Sequence, residues 1–373
     1  MTRFTDQVAR LPATVPFVAP EETERLRGRP FAARIGANES VFGPSPLALE
    51  AMARAAAESW QYGDPTSHEL REALAAFHGV TPEAIRVGEG IDGLLGLVVR
   101  LFVAPGDRVV TSAGAYPTFN YHVAGFGGEL VAVPYSKDHE DPQALAAKAR
   151  EVGARLVYLS NPDNPMGSWH PANAVSQLLD ALPEGCLLCL DEAYVEFAPE
   201  GTAPAVNPED PRILRFRTFS KARGMAGLRI GYVLGHPALV AGIDRIRNHF
   251  GVSRVAQAGA LAALGDTAHL DDVRRRAEES RRRIAEVSAD NGLTALPSAA
   301  NFVAVDCGGD GALARGVVRA LADRDVFVRM PGIAPLDRCI RVSCGTEQDM
   351  AHFAAALPDS LNAARFRLNS GSK

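Results

Sequence analysis

The sequence predicts an α/β protein: a large domain on a mostly parallel sheet, with a smaller α+β domain beside it. Three observations carry this. Short apolar runs recur between residues 108 and 234, with helical patterns set between many of them, the alternation that builds parallel sheets. Several runs, such as residues 186–190, are apolar throughout rather than alternating, which suits a sheet covered on both faces. After Ala238 the pattern turns helical and then gives short strands around one more helix. The chain has 373 residues, 47% hydrophobic and 22% charged, enough for a large core and a second, smaller one. The expected division is an N-terminal arm with part of the small domain over 1–45, a large domain over 46–260 and a small C-terminal domain over 261–373.

Residues 1–30 are proline-rich and irregular, an arm laid across another surface. Residues 34–46 form a loop, since their Gly, Asn, Ser and Pro content opposes any regular element. A helix follows over 46–59. Thr66-Ser67-His68-Glu69 reads as a capping box, opening a helix with Leu70, Ala73, Leu74 and Phe77 on one face. Residues 87–93 are a glycine-rich turn into an apolar helix over 94–102. Strands are expected at 108–111, 129–134, 155–160, 186–191, 213–219 and 228–234, with helices at 145–152 and 173–181. The long helix 272–291 carries the apolar stripe Val273, Ala277, Ile284 and Val287; its arginines interleave with Glu278 and Glu279, a solvated face. Strands at 301–306, 326–329 and 339–343 with a helix at 312–323 complete the small domain. The tail from 369 reads as disordered.

A net charge of -5 gives no footprint for nucleic acid. No apolar run reaches membrane-spanning length and no targeting pattern opens the chain, so a cytoplasmic protein is expected. Five cysteines in a chain this long do not suggest a disulfide framework. Cys186 and Cys189 fall three apart on one strand, so they point to opposite faces and cannot share a metal; no metal site is expected.

Only four of the 39 basic residues are lysines: Lys137, Lys148, Lys221 and Lys373. Lys137 lies in a polar loop, Lys148 on a surface helix and Lys373 at the chain end. Lys221 alone has small and hydroxyl neighbours at a strand end, so it is the candidate for a Schiff base; a surface lysine in a turn is the plain alternative. Asp191 ends a strand, where ligands of open α/β sheets sit. It could meet a pyridinium nitrogen or a divalent metal, or simply cap its turn. Asn164, between Pro162 and Pro165, is an amide held rigidly enough to bond a phenolate-type oxygen, or a residue of a plain proline turn. The turn Gly90-Ile91-Asp92-Gly93 opens a helix whose free N–H groups suit a phosphate, and Thr218, Ser220 and Arg229 could complete a cup. Phe119, in Tyr116-Pro117-Thr118-Phe119, could stack on a flat ring or sit in the core.

The ordered motifs ANESVFGPSP, WQYGDP, GEGIDG, PTF, NPDNPMG, DEAY, SKARGMAGLRIGY and IRVSCGT resemble the fold-type I aminotransferases that use pyridoxal 5'-phosphate, most of all the histidinol-phosphate aminotransferase branch. The likeness runs from about Arg34 to Thr346. It implies the PLP-transferase fold and pyridoxal phosphate as cofactor. It implies Lys221 as the Schiff-base lysine and proton shuttle, Asp191 as partner of the ring nitrogen, and Tyr194 and Asn164 as partners of the ring oxygen. Phe119 would stack on the ring, and Gly90, Ile91, Asp92, Thr218, Ser220 and Arg229 would hold the phosphate. Tyr62 would reach the partner subunit's cofactor in a homodimer with shared active sites. Arg341, with Arg329, would bind the substrate's anionic group, and Asn38 and Phe42 would face the substrate.

The chain departs from that branch in places. NESVFG stands where NENPYG is usual, Ile91 and Gly93 flank Asp92 where Ser and Glu are usual, and Met166 replaces a threonine. Phe42, with Phe119, Tyr116 and Phe250, suggests a pocket for an apolar or aromatic side chain. A general or aromatic amino-acid aminotransferase working with a 2-oxo acid is therefore ranked just ahead of strict histidinol-phosphate specificity. An amino-acid decarboxylase or C–S lyase on the same fold is the alternative. A regulatory protein of this fold would need a DNA-binding domain for which the chain has no room. A nicotinamide dehydrogenase is not expected, because the turn Gly88-Glu89-Gly90-Ile91-Asp92-Gly93 is taken to lack both the spacing of a dinucleotide fingerprint and an acid about twenty residues on.

Overall fold

The computed structural model describes residues 3–9, 11 and 19–370. Its strands are β1 (Ala33–Arg34), β2 (Ile85–Gly88), β3 (Arg108–Ser112), β4 (Glu129–Val133), β5 (Leu156–Ser160), β6 (Leu187–Asp191), β7 (Ile213–Thr218), β8 (Gly231–Gly235), β9 (Thr294–Ala295), β10 (Phe302–Asp306), β11 (Val326–Phe327) and β12 (Cys339–Ser343). Seven of them form one sheet in the order β2-β8-β7-β6-β5-β3-β4. The five from β7 to β4 pair in parallel, and β8 runs antiparallel to both β7 and β2. Every residue of β5, β6 and β8 is buried, which is why their sequences carry no polar alternation.

Two arginines within β7 are tolerated because they share one acid. Arg215 and Arg217 lie on the same face, two residues apart. Both bond the buried Glu192 carboxylate, at 2.7 and 2.9 Å. Strand β2 escaped the sequence reading, since Arg86 interrupts its apolar run; Arg86 is buried and paired with Asp244. Gly88, Gly90 and Gly93 have the spacing of a dinucleotide fingerprint, but β2 is an edge strand paired only antiparallel, not the first strand of a parallel crossover unit. The strand expected at 228 starts at Gly231, because Ala226–Leu228 is a 3-10 turn and Arg229 is left-handed (φ 50).

The expected capping box does not form. Ser67 is left-handed and makes no side-chain cap to the helix His68–His78. Asp64 takes the role, accepting from the N–H of His68 at 2.7 Å and of Thr66 at 2.8 Å. Two elements of the expected arm are described, the helices Asp6–Ala9 and Pro20–Arg27; residues 12–18 lie outside the described residues. Asn369 and Ser370 continue the last helix, Glu347–Ser370, rather than a disordered tail, and 371–373 are outside the description.

A second core gathers Ile35, Ile284, Val303, Val317, Ile340, Val342 and Phe353 around the antiparallel sheet β12-β10-β9 and the pair β1-β11. The helix Thr267–Asp290 joins the two: Val273 and Ala277 pack with the large sheet, Ile284 and Val287 with the small core. A boundary at 260 would cut the helix Arg254–Gly265, whose Ala256, Ala260 and Ala263 pack against Leu70 and Ile85. No helix among the described residues is long and apolar enough to cross a membrane.

Candidate active site

A cavity of about 810 Å³ opens at one edge of the large sheet. It is lined by residues that follow the carboxyl ends of β2, β3, β5, β6 and β7: Ile91 and Asp92, Tyr116, Asn164, Asp191, and Thr218. The small core supplies another wall, with Asn38, Arg329 and Arg341. In β12 Ile340 and Val342 are buried in that core, so Arg341 between them faces the other way. Arg329 pairs with Arg341 through the backbone, at 2.6 and 3.3 Å.

Lys221 sits in the connection between β7 and β8, and its Nζ donates to the carbonyl of Asn38 at 3.1 Å. Burial, with Arg341 nearby, pushes its ammonium down to about 8. Burial likewise lowers Arg341 to about 10 and lowers Arg329. The carboxylate of Asp191 accepts from Tyr158 Oη at 2.7 Å and from the Ala193 N–H at 2.9 Å. Burial raises it to about 6, and among the described residues it forms no ion pair. The phenol of Tyr194 accepts from Asn38 Nδ2 at 3.1 Å and Asn164 Nδ2 at 3.4 Å. Asn164 Oδ1 in turn accepts from Arg341 Nη1 at 2.5 Å. Asn38 can serve both Lys221 and Tyr194 because it adopts a left-handed backbone (φ 56), fixed by its N–H bond to Ser343 Oγ at 3.0 Å.

The start of the helix Gly90–Phe102 forms one end of the site, where the first N–H groups have no partner within the helix. Arg229 Nη1 bonds Ser220 Oγ at 3.3 Å and the Ala226 carbonyl at 3.0 Å. Thr218 Oγ1 accepts from the Ser220 N–H at 3.0 Å. Gly90 takes φ 74, a left-handed backbone that favours glycine, and the Arg229 guanidinium fills the space a Cβ would take, 2.5 Å from Nη2.

The residues fit a phosphorylated cofactor with a cationic ring. The Gly90 notch leaves backbone donors and Arg229 beside each other, Asp191 is a buried carboxylate facing the cavity without a cation, and Arg341 Nε is buried without a hydrogen-bond partner.

Of the expected site residues, Asn38, Ile91, Asp92, Asn164, Asp191, Tyr194, Thr218, Ser220, Lys221, Arg229, Arg329 and Arg341 all line this cavity, with Gly90 behind Arg229. Two do not come to it, and Tyr62 was expected at a partner subunit's cofactor. Phe119 is fully buried and stacks on Tyr158 at 4.6 Å, so Tyr116 and Pro117 form the wall instead. Phe42 turns away and lies 4.3 Å from the Arg276 guanidinium. Tyr62 is on the surface, tilted against Phe250 with the ring centres 4.7 Å apart. Of the four aromatics expected around the substrate, Tyr116 alone lines the cavity. Sequence reading missed Thr23, whose helix lay in a stretch taken as irregular, and Tyr158. A tyrosine amid the apolar run of β5 was the available signal, since its buried hydroxyl needs a partner.

A family model described as aminotransferase class I and II matches residues 34–357. The chain belongs to this family. The histidinol-phosphate aminotransferase of Anaeromyxobacter sp. (strain Fw109-5) is 38% identical to this aminotransferase, covering 95% of this chain and 98% of that one. The crystal structure of histidinol-phosphate aminotransferase from Sinorhizobium meliloti in complex with pyridoxal-5'-phosphate is similar at 53% identity and a TM-score of 0.94, over 97% of this chain and 98% of the other. An aspartate aminotransferase from Thermus thermophilus with maleate, 23% identical over 97% of this chain and all of its own, shares the fold with a TM-score of 0.82. The aminotransferase thus has the α/β fold with a mostly parallel seven-stranded sheet that the sequence predicted.

Proposed function

We propose that the chain transfers an amino group from histidinol phosphate to a 2-oxo acid, using pyridoxal phosphate. The observation that carries this reading is the pair Arg329 and Arg341 in one cavity with Lys221 and Asp191. Pyridoxal phosphate, when bound, supplies an aldehyde that condenses with amines and a cationic ring that draws electrons from Cα. Arg229, Ser220, Thr218 and the N–H groups of Ile91 and Asp92 would hold its phosphate. Asp191 would hold the ring nitrogen in its protonated state, and Tyr194 and Asn164 would bond the ring oxygen. Lys221, with its depressed basicity, supplies a neutral amine and then takes and returns the Cα proton at Nζ. Arg341 and Arg329 would fix the anionic group of the substrate, which orients Cα and excludes water.

The aromatic preference suggested by the sequence loses its footing, because Phe42, Phe119 and Phe250 lie off the cavity. A phosphate-bearing donor is supported instead by three neighbouring cationic groups, whose mutual repulsion an anion relieves, and by the relatives at 38% and 53% identity. The test is kcat/KM for histidinol phosphate, phenylalanine, leucine and glutamate under identical conditions. Histidinol phosphate should lead by more than about a hundredfold, about 2.7 kcal/mol. Phenylalanine within tenfold would restore the aromatic reading, and decarboxylation without transamination would replace both.

We further propose a homodimer with shared sites. Trp60 and Tyr62 are 83% and 76% exposed, and Tyr62 lies against the exposed Phe250, large apolar side chains that a partner subunit would cover. Mixing inactive Lys221→Ala subunits with impaired Tyr62→Phe subunits should regain activity as one intact site forms per mixed dimer. Verified subunit exchange with no recovery would remove Tyr62 from the site. A cytoplasmic location fits a chain acting on small soluble amines.

A further inference from the structure

We propose that Tyr158 is a positioning residue for this reaction: its hydroxyl aims the Asp191 carboxylate into the cavity and secures it as an acceptor for a cationic ring nitrogen. The inference rests on the reading of Asp191 given above.

Tyr158 stands in the middle of β5, fully buried, between Val157 and Leu159, which are fully buried too. A phenylalanine would fill nearly the same space without a polar atom to satisfy, whereas a buried hydroxyl left unpaired is costly. The hydroxyl therefore has its use in the bond it makes, 2.7 Å to Asp191 Oδ2. The sheet register makes the reach natural. Tyr158 is paired with Cys189 on β6, and Asp191 is two residues further on the same face, a diagonal that a long side chain spans. Phe119 lies against the Tyr158 ring at 4.6 Å and 17°, which fixes the plane of the phenol. The Ala193 N–H holds the other oxygen at 2.9 Å. With each oxygen engaged once, the carboxylate cannot rotate, yet lone pairs remain for a third donor from the cavity.

The charges around Asp191 come from several elements. Burial raises it to about 6; the Tyr158 and Ala193 bonds pull it down most, Asp92 raises it and Lys221 lowers it. Burial first, and then Asp191, hold the Tyr158 phenol well above the usual phenol range, which keeps it a donor at any working pH. Without the Tyr158 hydroxyl, Asp191 would take up a proton nearer neutrality and lose its fixed direction. Asp191, not Tyr158, faces the cavity. Tyr158 thus acts through it.

The test uses the full chain, with and without pyridoxal phosphate. Infrared difference titration of wild type against Asp191→Asn isolates the Asp191 carboxyl band in the cofactor-free protein. In Tyr158→Phe, which keeps the ring and its stack on Phe119, the midpoint should move up by about one pH unit. With cofactor, the acid limb of the kcat profile should move the same way, while KM for the amino donor changes less than twofold. Difluorotyrosine placed at 158 preserves shape and is a stronger donor, so it should move the midpoint down; it serves even where Tyr158→Phe folds poorly. An unmoved midpoint, or a shift of the same sign in both variants, overturns the proposal. Those outcomes are distinct from failure of the underlying reading, which would show as normal turnover in Asp191→Asn itself.

Discussion

Lys221→Ala is expected to abolish transamination, by a factor above about ten-thousandfold, because one amine acts as both nucleophile and proton carrier. The described alternatives lack the setting. Lys137 occupies a left-handed exposed bend, and Lys148 is held by Glu151 at 2.6 Å on a helix surface. At pH 7 an amine with a midpoint of about 8 is neutral in about one molecule in ten, against about three in ten thousand for an ordinary lysine at 10.5. Burial, with Arg341 nearby, therefore makes Lys221 far more available as a free base than an ordinary lysine. Borohydride reduction of the holoenzyme and peptide mass mapping should place the pyridoxyl label on Lys221. A label on Lys137 or Lys148 would reassign the site.

Asp191→Asn should retain the cofactor and slow Cα proton removal by about a hundredfold to a thousandfold, about 3 to 4 kcal/mol, the scale of a buried electrostatic group in a transition state. The amide keeps the size of the side chain but carries no negative charge, so the ring nitrogen loses what holds its proton. Kinetics with an α-deuterated donor separate this from a binding defect: the isotope effect on kcat should grow in the variant. Near-normal turnover would end the electrostatic role of Asp191.

How far the site could be read in advance depended on where each residue sits. Asp191 and Asn164 end or follow the mainly apolar runs of β6 and β5, and Thr218 and Lys221 end or follow β7, whose apolar residues alternate with Arg215 and Arg217, so the sequence located these strands and their ends. Asp92 and Gly90 were legible because a glycine-rich turn ahead of an apolar helix has few structural readings. Phe119 and Phe42 were misplaced for a single reason. The direction of a side chain on a helix or loop depends on packing partners far along the chain, Tyr158 for Phe119 and Arg276 for Phe42. Strand β2 was hidden by Arg86, whose partner Asp244 is remote in sequence. The capping box failed because Asp64, two residues before Thr66, reaches the same N–H groups first.

The backbone bridge between Arg329 and Arg341 has a bearing on how such an enzyme changes over time. Arg341 stands in β12 and Arg329 just after β11, the strands packed around the second core, while Lys221, Asp191 and the Gly90 turn belong to the large sheet. On the proposed roles, reactivity and recognition sit on separate frameworks that meet across one cavity. Drift in β12 or in the segment after β11 can alter which amine is accepted without touching the groups that make amines reactive. A lineage can therefore acquire a new substrate by exchanging one wall of the cavity and keeping the other.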